Sequence, residues 1–112
     1  MSGTRPERRR APRAKASFPI LMSDQKGPCE AALKDLSISG LCCVYPQELS
    51  EMSLLQIDLE LPGCERCHRL QGAVVRCKAV PPSYEVAVFF TEVSAEAKAA
   101  LESYVAAHAP AA

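Results

Sequence analysis

Apolar and polar residues alternate along most of the chain, and this period of two is typical of β-strands. From Leu55 to Leu61 every second residue is leucine or isoleucine, and the residues between them are glutamine or acidic. Similar short segments recur along the chain, separated by turn-forming residues. The pattern predicts six strands, which cover residues 16–22, 29–36, 40–45, 54–61, 68–78 and 84–90.

The period changes after Ser94, which is a favourable N-cap for a helix that Pro110 would end. Six apolar or aromatic residues of this segment recur at helical spacing and would share one face. They are Ala97, Ala100, Leu101, Tyr104, Val105 and His108. Six short strands followed by one amphipathic helix predict a mainly β fold. We expect a six-stranded antiparallel, Greek-key-like β-barrel with the C-terminal helix over one opening or face.

Charge divides the chain into a basic arm and a mildly acidic body. Residues 1–15 contain six basic residues and one acidic residue, a net charge of +5, and the remainder carries −5. We therefore expect a flexible arm at 1–15, the barrel and helix at 16–107 and a tail at 108–112. The arm is either a solvated tail or a segment that binds an anionic partner.

Cellular location is also predicted from composition. No apolar run is long enough to span a membrane, and the N-terminus lacks the apolar core of a secretory signal. We expect a cytoplasmic protein without membrane insertion, in which the six cysteines are thiols.

The segment Asp35-Leu36-Ser37-Ile38-Ser39-Gly40 lies between two predicted strands and combines a carboxylate, two hydroxyls and a glycine. Such a corner is either an ordinary turn or one wall of a polar ligand site. Arg9-Arg10-Ala11-Pro12-Arg13 comes before the first strand. Together the two segments resemble the RxxxR and D/N-x-S-x-x-G motifs of the PilZ family of bacterial cyclic di-GMP receptors. The later Val74-Val75-Arg76 and the C-terminal helix are similar to that family as well.

The resemblance implies a cyclic di-GMP receptor or adaptor that is not an enzyme and needs no cofactor. Guanidinium groups of Arg9 and Arg13 would bind phosphate or guanine edges, and Arg8 would add a contact that accompanies a stacked ligand dimer. Asp35 would accept hydrogen bonds from guanine N1–H and N2–H. The remaining motif residues are Ser37, which would bond a phosphate or a base edge, and Gly40, which would let the backbone approach the ligand. Ligand binding would order the arm and change the surface offered to an unidentified protein effector.

Two other functions remain open. A small barrel with a basic arm could bind nucleic acid, but the acidic body and the few aromatic residues disfavour it, and we expect no nucleic-acid partner. Cys64-Glu65-Arg66-Cys67-His68 matches the C-x-x-C-H pattern of covalent haem attachment, but that attachment usually requires export and the sequence shows no secretory signal. A zinc or redox module using Cys64 and Cys67 fits better, with Cys77 as a further ligand. The alternative for these cysteines is an exposed turn with reduced thiols and no metal. No paired acid and base or activated nucleophile predicts catalysis.

Overall fold

The computed structural model describes residues 14–16, 18–24, 26–63 and 66–108, which form seven strands and one helix. The strands are β1 (Ala14–Lys15), β2 (Pro19–Asp24), β3 (Gly27–Leu36), β4 (Gly40–Tyr45), β5 (Leu54–Glu60), β6 (Cys67–Val80) and β7 (Ser83–Glu92). The helix is α1 (Ala95–His108). Each predicted strand corresponds to one of β2 to β7, with ends that differ by a few residues.

Strands β2 to β7 form a closed antiparallel barrel in the order β3–β2–β5–β6–β7–β4, in which β4 pairs back to β3. β2, β3 and β4 follow one another as neighbours, and β5 returns to lie beside β2, which is the Greek-key connection. The predicted six-stranded, Greek-key-like barrel is therefore confirmed. Closure pairs both sides of each of these six strands, which removes the exposed edges of an open sheet.

Alternating side chains fill the barrel. In β5 the residues Leu55, Ile57 and Leu59 are buried and those between them are partly exposed, as the sequence pattern predicts. The alternation of apolar and polar residues in β5 therefore predicts correctly which of its side chains face into the barrel.

Helix α1 begins at the predicted N-cap, since the Ser94 hydroxyl accepts a hydrogen bond from the Ala97 N–H at 3.1 Å. It packs against β1 and β6 and buries Ala97, Leu101 and Val105. His108 is the exposed last residue of α1, and its ring stacks on Tyr104 with the ring centroids 4.1 Å apart. In the described part of the chain, no helix has the length and apolar character needed to cross a membrane.

The first described residues already belong to the sheet. Ala14 and Lys15, which the sequence assigned to the arm, form β1 and pair with the end of β3. Ala14 is fully buried and Ala16 is nearly so, which fits their position under α1. Residues 1–13 lie outside the described ranges, so the flexibility of the arm stays a prediction.

Candidate ligand-binding site

Ser37 stabilises the corner that joins β3 to β4. Its N–H donates to the carbonyl oxygen of Gly40 at 2.8 Å, and its hydroxyl donates to the same oxygen at 3.2 Å. The hydroxyl oxygen also accepts from the N–H groups of Ser39 and Gly40, at 3.2 and 3.1 Å. Ser37 is fully buried. In this state, then, its side chain bonds to the backbone of the corner rather than facing solvent.

Gly40 allows the corner to lie against β7. A Cβ atom at Gly40 would lie 2.2 Å from the carbonyl oxygen of Val88, a distance that no side chain tolerates. Gly40 pairs with Phe89, and the neighbouring Phe90 N–H donates to the carbonyl oxygen of Ser39 at 2.8 Å. Close approach between β4 and β7 therefore requires glycine here, whatever else the residue does.

Asp35 faces the outside of the barrel because of a β-bulge. Leu33 pairs with Cys43 and Asp35 pairs with Cys42, so Lys34 is an extra residue without a partner in β4. Leu33 is buried, Lys34 is exposed and Asp35 is half-buried. Without the extra residue Asp35 would share the inner face with Leu33, where a carboxylate is costly. The bulge thus turns the motif carboxylate outward, as bulges near functional sites often do.

Small residues lie beside Asp35 on the outer surface. Cys42 is its neighbour on β4, and Ala87 is the neighbour of Cys42 on β7. Burial raises the pKa of the Cys42 thiol, and the negative charges of Asp35 and Glu85 raise it further. Cys42 is therefore a neutral, compact thiol at neutral pH. Together Cys42 and Ala87 form a low, uncharged floor next to the carboxylate.

An ion pair borders this floor. The ammonium group of Lys34 on β3 contacts the carboxylate of Glu85 on β7, and so reaches across β4. The hydrogen bond and charge of Lys34 lower the pKa of Glu85, and Glu85 in turn raises the pKa of Lys34. Both groups are accessible to solvent, so the pair contributes little to stability. Its effect is to keep the Lys34 cation at one side of the floor.

The chain that follows the arginine motif is attached directly to the corner. Ala14 pairs with Leu36, the residue before Ser37, and Lys15 pairs with Asp35. The Ala16 N–H also donates to the carbonyl oxygen of Lys34 at 3.0 Å. The structure therefore brings the residues that directly follow the first motif to the second motif, although Arg13 and Asp35 are 22 positions apart in the sequence. The predicted ligand residues Arg8, Arg9 and Arg13 themselves lie outside the described residues.

The described residues of the cysteine motif, Cys67 and His68, do not point to a common site. Cys67 is exposed and His68 is buried, since consecutive residues of β6 face opposite sides of the sheet. Cys77, suggested as a further zinc ligand, lies ten residues along the same strand from Cys67, about 30 Å away at the rise of an extended strand. Cys77 therefore cannot share a metal with Cys67. Cys64 is outside the described residues, and among those described no three His, Cys, Asp or Glu side chains are grouped to hold a metal ion.

A family model described as the PilZ domain matches residues 7–107. The match extends from the arginine segment through the barrel to the end of the helix. The chain belongs to the PilZ domain family. Comparison of this PilZ domain with curated proteins gives no significant match.

Solved structures share the fold of this PilZ domain. The inhibitor of motility MotI/DgrA of Bacillus subtilis is 19% identical with a TM-score of 0.76, and the match covers 88% of this chain and 50% of that one. The PilZ domain of Escherichia coli YcgR with c-di-GMP is 17% identical with a TM-score of 0.65, and the match covers 90% of this chain and 91% of that one. Borreliella burgdorferi PlzA in complex with c-di-GMP is 14% identical with a TM-score of 0.63, and the match covers 83% of this chain and 39% of that one. This chain therefore spans half or less of the MotI and PlzA chains and most of the YcgR domain.

Three features of the site were missed from the sequence. The bulge at Lys34, the floor of Cys42 and Ala87 and the pairing of β1 with β3 all depend on strand register. The sequence did contain a signal for the bulge. Regular alternation that buries Leu33 would next bury residue 35, but the next buried apolar residue is Leu36, so one extra residue must lie between them. The burial of Ser37 has no such signal, since a serine in a turn is usually exposed.

Proposed function

We propose that this PilZ domain is a receptor for cyclic di-GMP. The observation that carries the proposal is the pairing of Ala14 with Leu36, which attaches the chain just after Arg13 to the Asp35–Gly40 corner. Two similar structures that contain c-di-GMP, those of YcgR and PlzA, support the choice of ligand. The dinucleotide would lie over the outer face between the arm and the corner.

The chemistry of the named side chains suits this ligand. The guanidinium groups of Arg9 and Arg13 would form paired hydrogen bonds with phosphate oxygens or with the O6/N7 edge of guanine. The outward-facing Asp35 would accept from guanine N1–H and N2–H, a pair of donors that adenine lacks. Cys42 and Ala87 would supply the flat surface beneath the ring.

Ser37 and Gly40 would act mainly by holding the corner in place. The Ser37 hydroxyl already makes hydrogen bonds within the corner, and Gly40 is in contact with the backbone of β7. A direct bond from Ser37 to the ligand would require exchange of one of these bonds. We therefore assign ligand contacts to the arginines and Asp35, and positioning to Ser37 and Gly40.

Binding would act as a switch without catalysis. The ligand would order the arm across the barrel and change the surface offered to a protein effector. A micromolar affinity requires about 8 kcal/mol, which several charge-assisted hydrogen bonds supply even after the cost of ordering the arm. Arg8 would bind a second dinucleotide stacked on the first, so that two ligands are taken up per chain.

Calorimetry of the full chain with cyclic di-GMP tests the proposal. Arg13→Ala should abolish measurable binding and Asp35→Asn should weaken it at least tenfold, because each removes a charged partner of the ligand. Arg66→Ala is a matched control, since Arg66 is exposed and pairs with Glu96 away from the corner. Arg8→Ala should reduce the ligand-to-chain ratio from two to one.

Two further titrations identify the ligand class. Cyclic di-AMP lacks the guanine donors that Asp35 would recognise and should bind much more weakly. Single-stranded DNA at physiological salt should not bind. Absence of binding by the wild-type chain, or an unchanged affinity in Arg13→Ala, would overturn the proposal.

A further inference from the structure

Apolar side chains are exposed on the outer surface of β5, β6 and β7. Leu54 on β5 pairs with Ala73 on β6, and Ala73 pairs with Phe89 on β7. Leu54 is 73% exposed and Phe89 is 53% exposed, while Ala73 lies almost covered between them. One row across three strands is therefore apolar and open to solvent.

Val75 and Met52 extend this row to one side. Val74 pairs with Val88 and Arg76 with Ala87, so Val75 is the extra residue of a second bulge and is 51% exposed. Met52 is attached next to it, because the Met52 N–H donates to the carbonyl oxygen of Val74 at 2.7 Å. We call the surface formed by Met52, Leu54, Val75 and Phe89 around Ala73 the β5–β7 face.

The conformation of Met52 is unusual for an exposed apolar residue. Its φ of 71° lies in the left-handed region, which residues other than glycine, asparagine and aspartate rarely adopt. Its side chain is 73% exposed. A strained backbone that holds an apolar side chain in water indicates that the side chain has a partner.

Opposite charges lie at opposite ends of the β5–β7 face. Arg76 follows Val75 at one end, and Glu92 lies beyond Phe89 at the other end, paired with Gln71. Both are exposed, and neither forms an ion pair with another described residue. A partner with charges of a single sign would match only one end. A surface with the same arrangement, rotated by half a turn, would match both ends.

We infer that the β5–β7 face is a dimerisation surface whose occupant is a second copy of this chain. A two-fold axis through the centre of the face places Arg76 of each copy opposite Glu92 of the other and brings the two apolar rows together. Such a contact is isologous, as in most homodimers. The face offers only four exposed apolar side chains, so we expect a small contact and a reversible dimer.

Sedimentation equilibrium of the full chain without nucleotide tests the inference. The average mass should rise with concentration from 12.1 kDa towards twice that value. Phe89→Ser should remain monomeric at every concentration. Leu21→Ser is the matched control, because Leu21 is an exposed apolar residue on β2, away from the face, and its replacement should leave the dimer unchanged. Circular dichroism confirms that both variants are folded.

Variants with reversed charges at Arg76 and Glu92 distinguish this dimer from nonspecific hydrophobic association. Arg76→Glu and Glu92→Arg should each weaken the dimer at least tenfold, because like charges then meet twice across the axis. An equimolar mixture of the two variants should regain wild-type affinity, since every pair in the mixed dimer is again of opposite sign. A monomeric wild type, a mixture that does not recover, or equal loss in Leu21→Ser would overturn the inference. Because no nucleotide is used, such a failure leaves the proposed receptor function untouched.

Discussion

Replacing Gly40 with alanine should destabilise the barrel before any ligand is added. The new Cβ would lie 2.2 Å from the Val88 carbonyl oxygen, so β4 and β7 would have to separate by about 1 Å to restore an ordinary contact distance. The atom that obstructs it belongs to the backbone and cannot rotate away. The strain therefore falls on the strand pair itself.

The magnitude follows from overpacking and one weakened hydrogen bond. Overpacking of a well-packed site costs about 1–3 kcal/mol. Separation of the strands also stretches the bond from the Phe90 N–H to the Ser39 carbonyl oxygen, now 2.8 Å, at a cost of about 1 kcal/mol. We expect a loss of about 2–4 kcal/mol, a large share of the roughly 5–15 kcal/mol of a typical domain.

Urea denaturation of the ligand-free protein measures this loss. With a slope of about 2 kcal/mol per molar, in the middle of the range for small proteins, the midpoint should fall by about 1–2 M. Ser39→Ala is the control, because its half-buried hydroxyl contacts only Ser37 Oγ among the described side chains, and it should change the midpoint little. A free energy of unfolding within about 0.5 kcal/mol of wild type would refute the packing argument and leave Gly40 only a ligand role.

Three other predictions follow from the same region. Ser37→Ala should lower the free energy of unfolding by about 2 kcal/mol in thermal or urea unfolding, because it leaves the buried N–H of Gly40 and the partly buried N–H of Ser39 without this acceptor. Unchanged stability would contradict this role. Lys34→Ala should destabilise the protein only slightly at neutral pH, because it removes a solvent-accessible ion pair with Glu85. The difference from wild type should disappear as the pH falls through the lowered pKa of Glu85, and also as the pH rises through the raised pKa of Lys34. A difference that persists at both extremes would show that the ion pair is not its cause. An alkylating reagent added to the folded protein should label the exposed Cys67 well before Cys43, as measured by peptide mapping, because Cys43 is buried and burial raises the pKa of its thiol to about 12. Equal labelling rates would contradict the observed packing.

Much of the fold could be predicted because strand alternation and helix capping are local properties. The run from Leu55 to Leu61 specified its buried face directly, and Ser94 marked the start of α1 by its capping hydroxyl. The order of the two motifs along the chain likewise pointed to the family. Strand alternation, the helix cap and each motif taken singly involve residues within a few positions of each other, and the order of the motifs is read directly along the chain, so no knowledge of spatial contacts was needed.

The sequence by itself therefore determined the six barrel strands, the helix, the barrel class and the residues expected to bind the ligand, but not β1. Only the tertiary structure decided how those residues are presented. Asp35 faces outward because an extra residue, Lys34, shifts the register between two strands. Ser37 is buried and Gly40 must lack a side chain because the corner lies against β7, almost fifty residues later in the chain. Register and closure arise from contacts between distant segments, and those contacts cannot be read from local periodicity.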